Sequence, residues 1–273
     1  MSFEHYVYGD DGNRYLCRLR GRQRLIGEVY VGDIVEISKS GKDYNIDKVL
    51  PRKNSLTRPY VANVDKALIV ISSKPEPDLC LVDKIIANCI YSDIDAIICV
   101  NKDDENDTGF FDKIKQEYAC FKVIKCSAMT GEIDEVIREI SDSTVCLCGQ
   151  SAVGKTTLIN ALLGGGVEKT GGLSKIERGR NTTRHVEAYR VGDGWVVDTC
   201  GFSLLEIENI KAHELALYYP EFDEARMECK FSTCTHISEP ICGVKDKIGV
   251  SIPKGRYDRY KILYDELKSR GGF

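Results

Sequence analysis

Residues 149–160 read GQSAVGKTTLIN. Gly149, Gly154, Lys155 and Thr156 fit the spacing glycine, four residues, Gly-Lys-Ser/Thr. The flanks agree. Residues 143–148 (STVCLC) predict a short buried strand, and residues 157–163 (TLINALL) predict the first turns of a helix. A strand, a glycine-rich turn and a helix start aim successive backbone N–H groups at a phosphate. The predicted contact stretch is Gly149, Gln150, Ser151, Ala152, Val153, Gly154, Lys155, Thr156 and Thr157. Lys155 reaches the outer phosphates, and Thr156 offers its hydroxyl to Mg²⁺.

Upstream, 66–72 (KALIVIS) and 95–100 (DAIICV) predict buried strands around a helix over 78–91, whose apolar residues recur at helical spacing. Strand, helix and strand point to a parallel α/β sheet. The second strand runs into Asn101-Lys102-Asp103-Asp104. A carboxylate at Asp104 accepts from the ring N–H and exocyclic amine of guanine, and adenine has neither donor there. The Lys102 stem can lie along the base plane. A helix over 110–118 and a strand over 122–125 then lead to Ser127-Ala128, about 25 residues on, where a backbone N–H can meet the guanine oxygen. A helix over 133–140 follows.

Downstream, residues 164–181 are polar and rich in Gly, Lys and Arg, and end in Thr182-Thr183. They read as a mobile surface segment. A threonine hydroxyl there, Thr182 or Thr183, can complete a Mg²⁺ shell and sense the γ-phosphate. A hairpin over 186–197 delivers Asp198-Thr199-Cys200-Gly201. Asp198 is expected to bind Mg²⁺ through water, and the Gly201 N–H to meet the γ-phosphate. Phe202 stands where many GTPases carry a water-orienting glutamine, so hydrolysis by the chain alone is expected to be slow.

The order of these motifs is informative. The base-reading segments precede the phosphate loop, whereas ordinary small GTPases run the other way. One sheet entered at a different strand, a circular permutation, explains it. A γ-phosphate-driven change at residues 198–202 then passes directly into the C-terminal part.

The ends differ from the middle. Residues 1–58 predict strands at 15–19, 29–37 and 44–49 with glycine turns, hence a small barrel. Residues 51–59 (PRKNSLTRP) read as a polar linker. Arg18, Arg20, Arg22 and Arg24 alternate near Tyr15 and are candidates to follow a nucleic-acid backbone, Arg20, Arg22 and Arg24 above all, or form a solvated arginine face. A helix is predicted over 210–219. Beyond it, Cys229, Cys234, His236 and Cys242 have the spacing C-x4-C-x-H-x5-C. Three thiolates and an imidazole make a closed, structural zinc set. A helix from about Arg256 ends the chain.

Composition bounds the function. The chain has 273 residues and a formal charge of −4, which argues against a large nucleic-acid footprint, but its ends are basic and its middle acidic. No apolar run is long enough to span a membrane, and the N-terminus lacks the pattern of a secretory signal. Most of the 12 cysteines sit singly in apolar runs, which suits reduced thiols in a cytoplasmic protein.

Taken together these residues resemble a family. The chain is similar to the bacterial ribosome small-subunit-dependent GTPases, which are circularly permuted. The stretches are RGRQR (20–24), VGDIVEI (31–37), LPRKNSLTRP (50–59), ANVDKALIV (62–70), NKDD, GQSAVGKTTLIN, GRNTTRHVE (179–187), DTCGF and the Cys-Cys-His-Cys cluster. The resemblance implies an N-terminal OB barrel over 1–58, a permuted GTPase domain over 59–208, and a largely helical zinc-binding domain over 209–273. It also implies a cytoplasmic, monomeric enzyme. Such an enzyme binds GTP, GDP, Mg²⁺ and one Zn²⁺, docks on 16S rRNA late in small-subunit maturation, and is released on GTP hydrolysis stimulated by that subunit. Lys155 and Gly201 are then expected to stabilise the transferring phosphoryl group. Four positions depart from the family pattern. Ala152 and Thr156 replace glycine and serine, Cys200 replaces proline, and Asn181 replaces a histidine proposed to position water. Asn181 can hydrogen-bond water but cannot act as a base near neutral pH, and His185 is a possible substitute. Two other readings stand beside this one: an RNA-binding module in which GTP is a ligand switch with negligible turnover, and an ATP-using phosphotransferase.

Overall fold

The computed structural model describes residues 4–19, 28–41, 43–57, 60–164, 172–174, 186–199, 207 and 209–270. Among these, the N-terminal strands β1 (Glu4–Tyr8), β2 (Arg14–Leu19), β3 (Val35–Ser40) and β4 (Asp43–Val49) form a four-stranded sheet in the order β1-β2-β4-β3. The expected strand over 29–37 begins late. Asp33 accepts from the Tyr30 N–H at 2.7 Å and is gripped by Arg52, so residues 30–33 are pulled into a turn. Of the stretch read as a linker, 51–59, the described residues 51–57 are tied down. It carries β5 (Ser55–Thr57), which pairs with β6 (Tyr60–Ala62), and both amide atoms of Asn54 bond the Val64 backbone.

The core is a seven-stranded sheet. Its remaining elements, in chain order, are β7 (Lys66–Ile71), α1 (Leu79–Tyr91), β8 (Asp95–Val100), α2 (Phe110–Glu117), β9 (Lys122–Lys125), α3 (Asp134–Ile140), β10 (Thr144–Cys148), α4 (Lys155–Leu162), β11 (Gly172–Ser174), β12 (Val186–Val191) and β13 (Gly194–Thr199). The spatial order is β11-β12-β13-β10-β7-β8-β9, parallel from β13 to β9, with β11 and β12 antiparallel. The strand before the phosphate loop, β10, is thus central although it comes late in the chain. Its neighbour β7 is buried on both faces, which is why both read as unbroken apolar runs. Alternate residues feed two cores. Ile69, Ile71, Cys146 and Cys148 pack with α1 and α2, while Leu68, Val70, Val145 and Leu147 pack with α3 and α4.

The C-terminal part is built from short pieces. Residues 212–218 form a 3₁₀ run within the helix expected over 210–219, and Pro220, which has no N–H and biases Tyr219 away from helical geometry, ends it. Then come α5 (Asp223–Arg226), α6 (Gly243–Asp246) and the long α7 (Lys254–Arg270). Tyr219, Phe222, Tyr257 and Tyr260 form an aromatic core, with Phe222 and Tyr219 each 5.1 Å, centroid to centroid, from Tyr260.

A buried charge cluster joins α7 to α1. The Asp83 side chain is 0% exposed and holds Arg256 Nη1 at 2.6 Å and Arg259 Nε at 2.7 Å, while Tyr118 donates to it at 2.7 Å. Arg256 also pairs with Glu221 at 2.5 Å, and Arg259 with Glu117 at 2.9 Å. Burial opposes the Arg256 charge, but Asp83 and Glu221 outweigh it and raise its pKa further. Removing one member strands the others in a dry interior. Asp83→Asn is therefore expected to cost about 3–5 kcal/mol in urea unfolding. Lys84→Ala, which removes the partly exposed pair to Glu266, is expected to cost about 1 kcal/mol or less. Equal losses would contradict this assignment.

Candidate nucleotide site and metal centre

The parallel strands all point their carboxyl ends to one edge. There, β10 and β7 lie side by side, and the helices that follow them pack on opposite faces of the sheet. Such a switch point opens a crevice at the strand ends. The loop 149–154 sits in it. Gly149 has φ 125°, and a Cβ there would lie 2.2 Å from the Val70 carbonyl oxygen. Gly154 has φ 94°, and its Cβ would lie 2.4 Å from Asn101 Nδ2. Both glycines are thus required by conformation and by close approach. Ala152 has φ 66°, a left-handed position, which explains why a glycine suits that position better. The first turn of α4 begins at Lys155 with no side-chain cap, so its N–H groups face the loop. Lys155 Nζ donates to the Gly149 oxygen at 2.8 Å and to the Gln150 oxygen at 2.7 Å.

Asn101 is the centre of the site. It is 1% exposed at the end of β8. Its Nδ2 donates to the Val153 oxygen at 2.9 Å, and its Oδ1 accepts from the Ala128 N–H at 3.2 Å and from the Cys126 thiol at 3.3 Å. One side chain therefore joins the phosphate loop to the Ser-Ala turn. Lys102, at φ 59°, donates to the Ala152 oxygen at 3.1 Å and the Lys74 oxygen at 2.9 Å, so its stem crosses between two loops. Asp104 is exposed and accepts from Ser127 Oγ at 2.5 Å, which fixes the carboxylate's orientation. Asp198 on β13 lies in register with Leu147 on β10, one strand over from the loop. Thr156 is exposed on the first turn of α4. Asn181, Thr182, Thr183, Gly201, Arg20, Arg22 and Arg24 lie outside the described residues.

Three side-chain roles escaped the reading of the sequence. Asn106 donates to the Asn101 oxygen at 2.9 Å and accepts from the Ser73 N–H at 2.9 Å. The Cys126 thiol orients the Asn101 amide. The Gln150 side chain accepts from the Asp78 N–H at 2.7 Å and donates to the Glu76 oxygen at 2.9 Å. Asn106 is a common polar loop residue outside any motif, while Gln150 lies in and Cys126 beside a motif whose spacing says nothing of what their side chains meet.

In the C-terminal part the predicted ligand set assembles. The donor atoms of Cys229, Cys234, His236 and Cys242 lie within 4.8 Å of one another. His236 Nδ1 is 3.6 Å from Cys229 Sγ and 3.4 Å from Cys242 Sγ, and those sulfurs are 3.9 Å apart. A tetrahedral zinc with Zn–S of about 2.3 Å and Zn–N of about 2.0 Å has edges of about 3.5 to 3.8 Å. The donor set therefore fits zinc. Burial pushes the Cys234 thiol up to about 12 and lowers His236, so a neutral imidazole faces thiols that need a cation to ionise. Glu239 braces the loop, accepting from Thr235 N at 2.7 Å, Thr235 Oγ1 at 2.8 Å and Ile237 N at 3.0 Å. Tyr257 donates to the His236 oxygen at 2.7 Å, and Tyr260 to the Thr235 oxygen at 2.6 Å.

Known proteins share this plan. Residues 49–208 match the family described as RsgA GTPase. A protein of Agathobacter rectalis named small ribosomal subunit biogenesis GTPase RsgA is 39% identical, covering 97% of this chain and 95% of its own. Its namesake in Thermotoga neapolitana is 38% identical, covering 96% and 92%. Among solved structures, YjeQ from Thermotoga maritima superposes with a TM-score of 0.81 at 32% identity, over 100% of both chains. YloQ, described as a circularly permuted GTPase, superposes at 0.79 and 31%, over 100% of this chain and 94% of its own.

The Glu239 carboxylate supplies a pH test. Burial would raise its pKa, but the bonds from Thr235 and Ile237 outweigh burial and hold it at about 2, against an ordinary 4.5. Its stabilisation is complete above pH 4.5 and is lost as pH falls towards 2. Glu239→Gln is expected to cost about 1–2 kcal/mol at pH 7. That deficit, read as urea midpoints at a series of pH values, should close only between pH 4.5 and 2.

Proposed function

The chain belongs to the RsgA GTPase family, and from that premise we propose that it hydrolyses GTP during maturation of the small ribosomal subunit. The observation that carries this reading is Asn101, whose buried amide holds the phosphate loop and the Ser-Ala turn in one frame. A frame of that kind is what guanine-selective phosphate binding requires.

In this reading Asp104, oriented by Ser127, accepts from guanine, and Lys102 lies along the base. The N–H groups of residues 149–157 cradle the phosphates, and Lys155 turns its ammonium to them. Thr156, one of Thr182 and Thr183, and Asp198 would hold Mg²⁺, which would supply neutralisation of the developing charge. The Gly201 N–H meets the γ-phosphate. Asn181 orients water without removing its proton, and Phe202 contributes no hydrogen bond. The zinc set Cys229, Cys234, His236 and Cys242 is structural, since four protein ligands leave no open position. Docking on 16S rRNA uses the N-terminal sheet, with Arg20, Arg22 and Arg24 continuing beyond β2, together with the zinc-bearing part. The protein works as a cytoplasmic monomer. Among the described residues no helix is long and apolar enough to cross a membrane.

The test is GTP hydrolysis by the purified protein with and without small ribosomal subunits. Subunits are expected to raise turnover at least about a hundredfold, a modest share of what partner-supplied groups achieve in other GTPases. GTP binding without stimulation would favour a ligand-switched RNA-binding module. Asn181→His is expected to speed single-turnover hydrolysis by about tenfold or more, as a water-orienting base should. An unchanged rate would remove Asn181 from the account.

A further inference from the structure

The Gln150 side chain is not directed at a nucleotide. It reaches sideways to the segment that starts α1, accepting from the Asp78 N–H and donating to the Glu76 oxygen. Asp78 is the N-cap of α1, and its Oδ1 accepts from the Leu81 N–H at 3.0 Å. The phosphate loop is therefore bonded to the end of a helix. That helix has 13 residues and spans about 20 Å.

The other side of α1 belongs to the C-terminal part. Asp83 is buried between Arg256 and Arg259, Lys84 pairs with Glu266 at 2.8 Å, and Ala87 packs in the aromatic core. From α7, two tyrosine hydroxyls reach back to the carbonyls of Thr235 and His236, inside the ligand loop. Unbroken contacts thus run from the phosphate loop through α1 and α7 to the metal centre.

The loop end of this route is sensitive to phosphate. Lys155 Nζ donates to the Gln150 carbonyl, and phosphate oxygens compete for the same ammonium protons. Binding there redistributes the bonds at the Gln150 peptide, whose side chain is the tie to α1. A ligand shifts an equilibrium only through such a difference in interaction. We propose that Gln150 is a positioning residue that couples occupancy of the phosphate loop to the order of residues 229–242 through α1. The proposal rests on the nucleotide reading above.

The test is hydrogen exchange on the full, zinc-loaded chain, with and without saturating GDP, beside GDP affinity measured by calorimetry. In the native protein GDP is expected to slow exchange in residues 229–242 at least about fivefold, the lower range of site-to-site coupling. In Gln150→Ala, at GDP concentrations that again saturate the site, that slowing should disappear while protection around residues 149–157 remains. Tyr260→Phe keeps the ring and loses the bond to Thr235, so it should weaken the same response from the far end. Persistence of the full response in Gln150→Ala would overturn the proposal, as would its absence in the native protein with GDP bound. Failure of the native protein to bind GDP at all would instead overturn the nucleotide reading beneath it.

Discussion

The carboxylate of Asp83 fixes how the molecule is put together. It sits mid-way along α1 with no exposed side-chain surface, and it carries two guanidinium groups from α7 and a tyrosine hydroxyl from beside α2. Charge cannot be left unpaired in such a place, so the C-terminal helix has one seat on the core. The adjoining face of the same helix, through Val82, Ile85, Ile86 and Cys89, packs on the sheet. Thus α1 is buried on two sides, which is unusual for a helix of a parallel α/β sheet and explains why an acid appears on its otherwise apolar surface.

Permutation gives that helix its importance. The chain enters the sheet at β7, builds the edge that leads to Asn101 and Ser127 through β8 and β9, and only then inserts β10 between β7 and β13. The phosphate loop is therefore flanked by a strand made long before it and a strand made after it. Asn101 and Gln150 both bond across this gap in sequence, to Val153 and to the 76–78 segment. The site is closed by side chains from parts of the chain that share no local structure. Loop precision comes from these cross-bonds more than from the loop itself, whose one left-handed alanine is held against its own preference.

The sheet was legible in the sequence because its strands are buried on both faces. Continuous apolar runs such as KALIVI and DAIICV have one sensible reading when they end in motif loops. The ligand spacing around Cys229 and His236 was legible for a similar reason, since metal chemistry admits few patterns. Features that depend on partners elsewhere in the chain were not legible. The turn at Tyr30–Asp33 needs Arg52, and the strand at Ser55–Thr57 needs Tyr60–Ala62. The roles of Gln150, Asn106 and Cys126 were invisible because a lone polar residue acquires meaning only from the atom it meets.

The C-terminal part shows why metal, aromatic core and buried ions occur together. It is built of 3₁₀ and four-residue helical turns with one long helix, a plan with few backbone bonds of its own. A unit of that size buries too little to be stable alone. A zinc ion held by Cys229, Cys234, His236 and Cys242 would close the 229–242 loop, the Tyr219–Phe222–Tyr260 cluster fills the space beneath it, and Asp83 supplies the anchor from outside. None of the three replaces another. A metal there would order a loop without fixing α1, and the aromatic rings bury area without fixing direction. The ion cluster fixes direction only if Arg256 and Arg259 are already carried on a formed helix. Folding of this part is therefore conditional on the core, and its order is a reading of how firmly α1 is held.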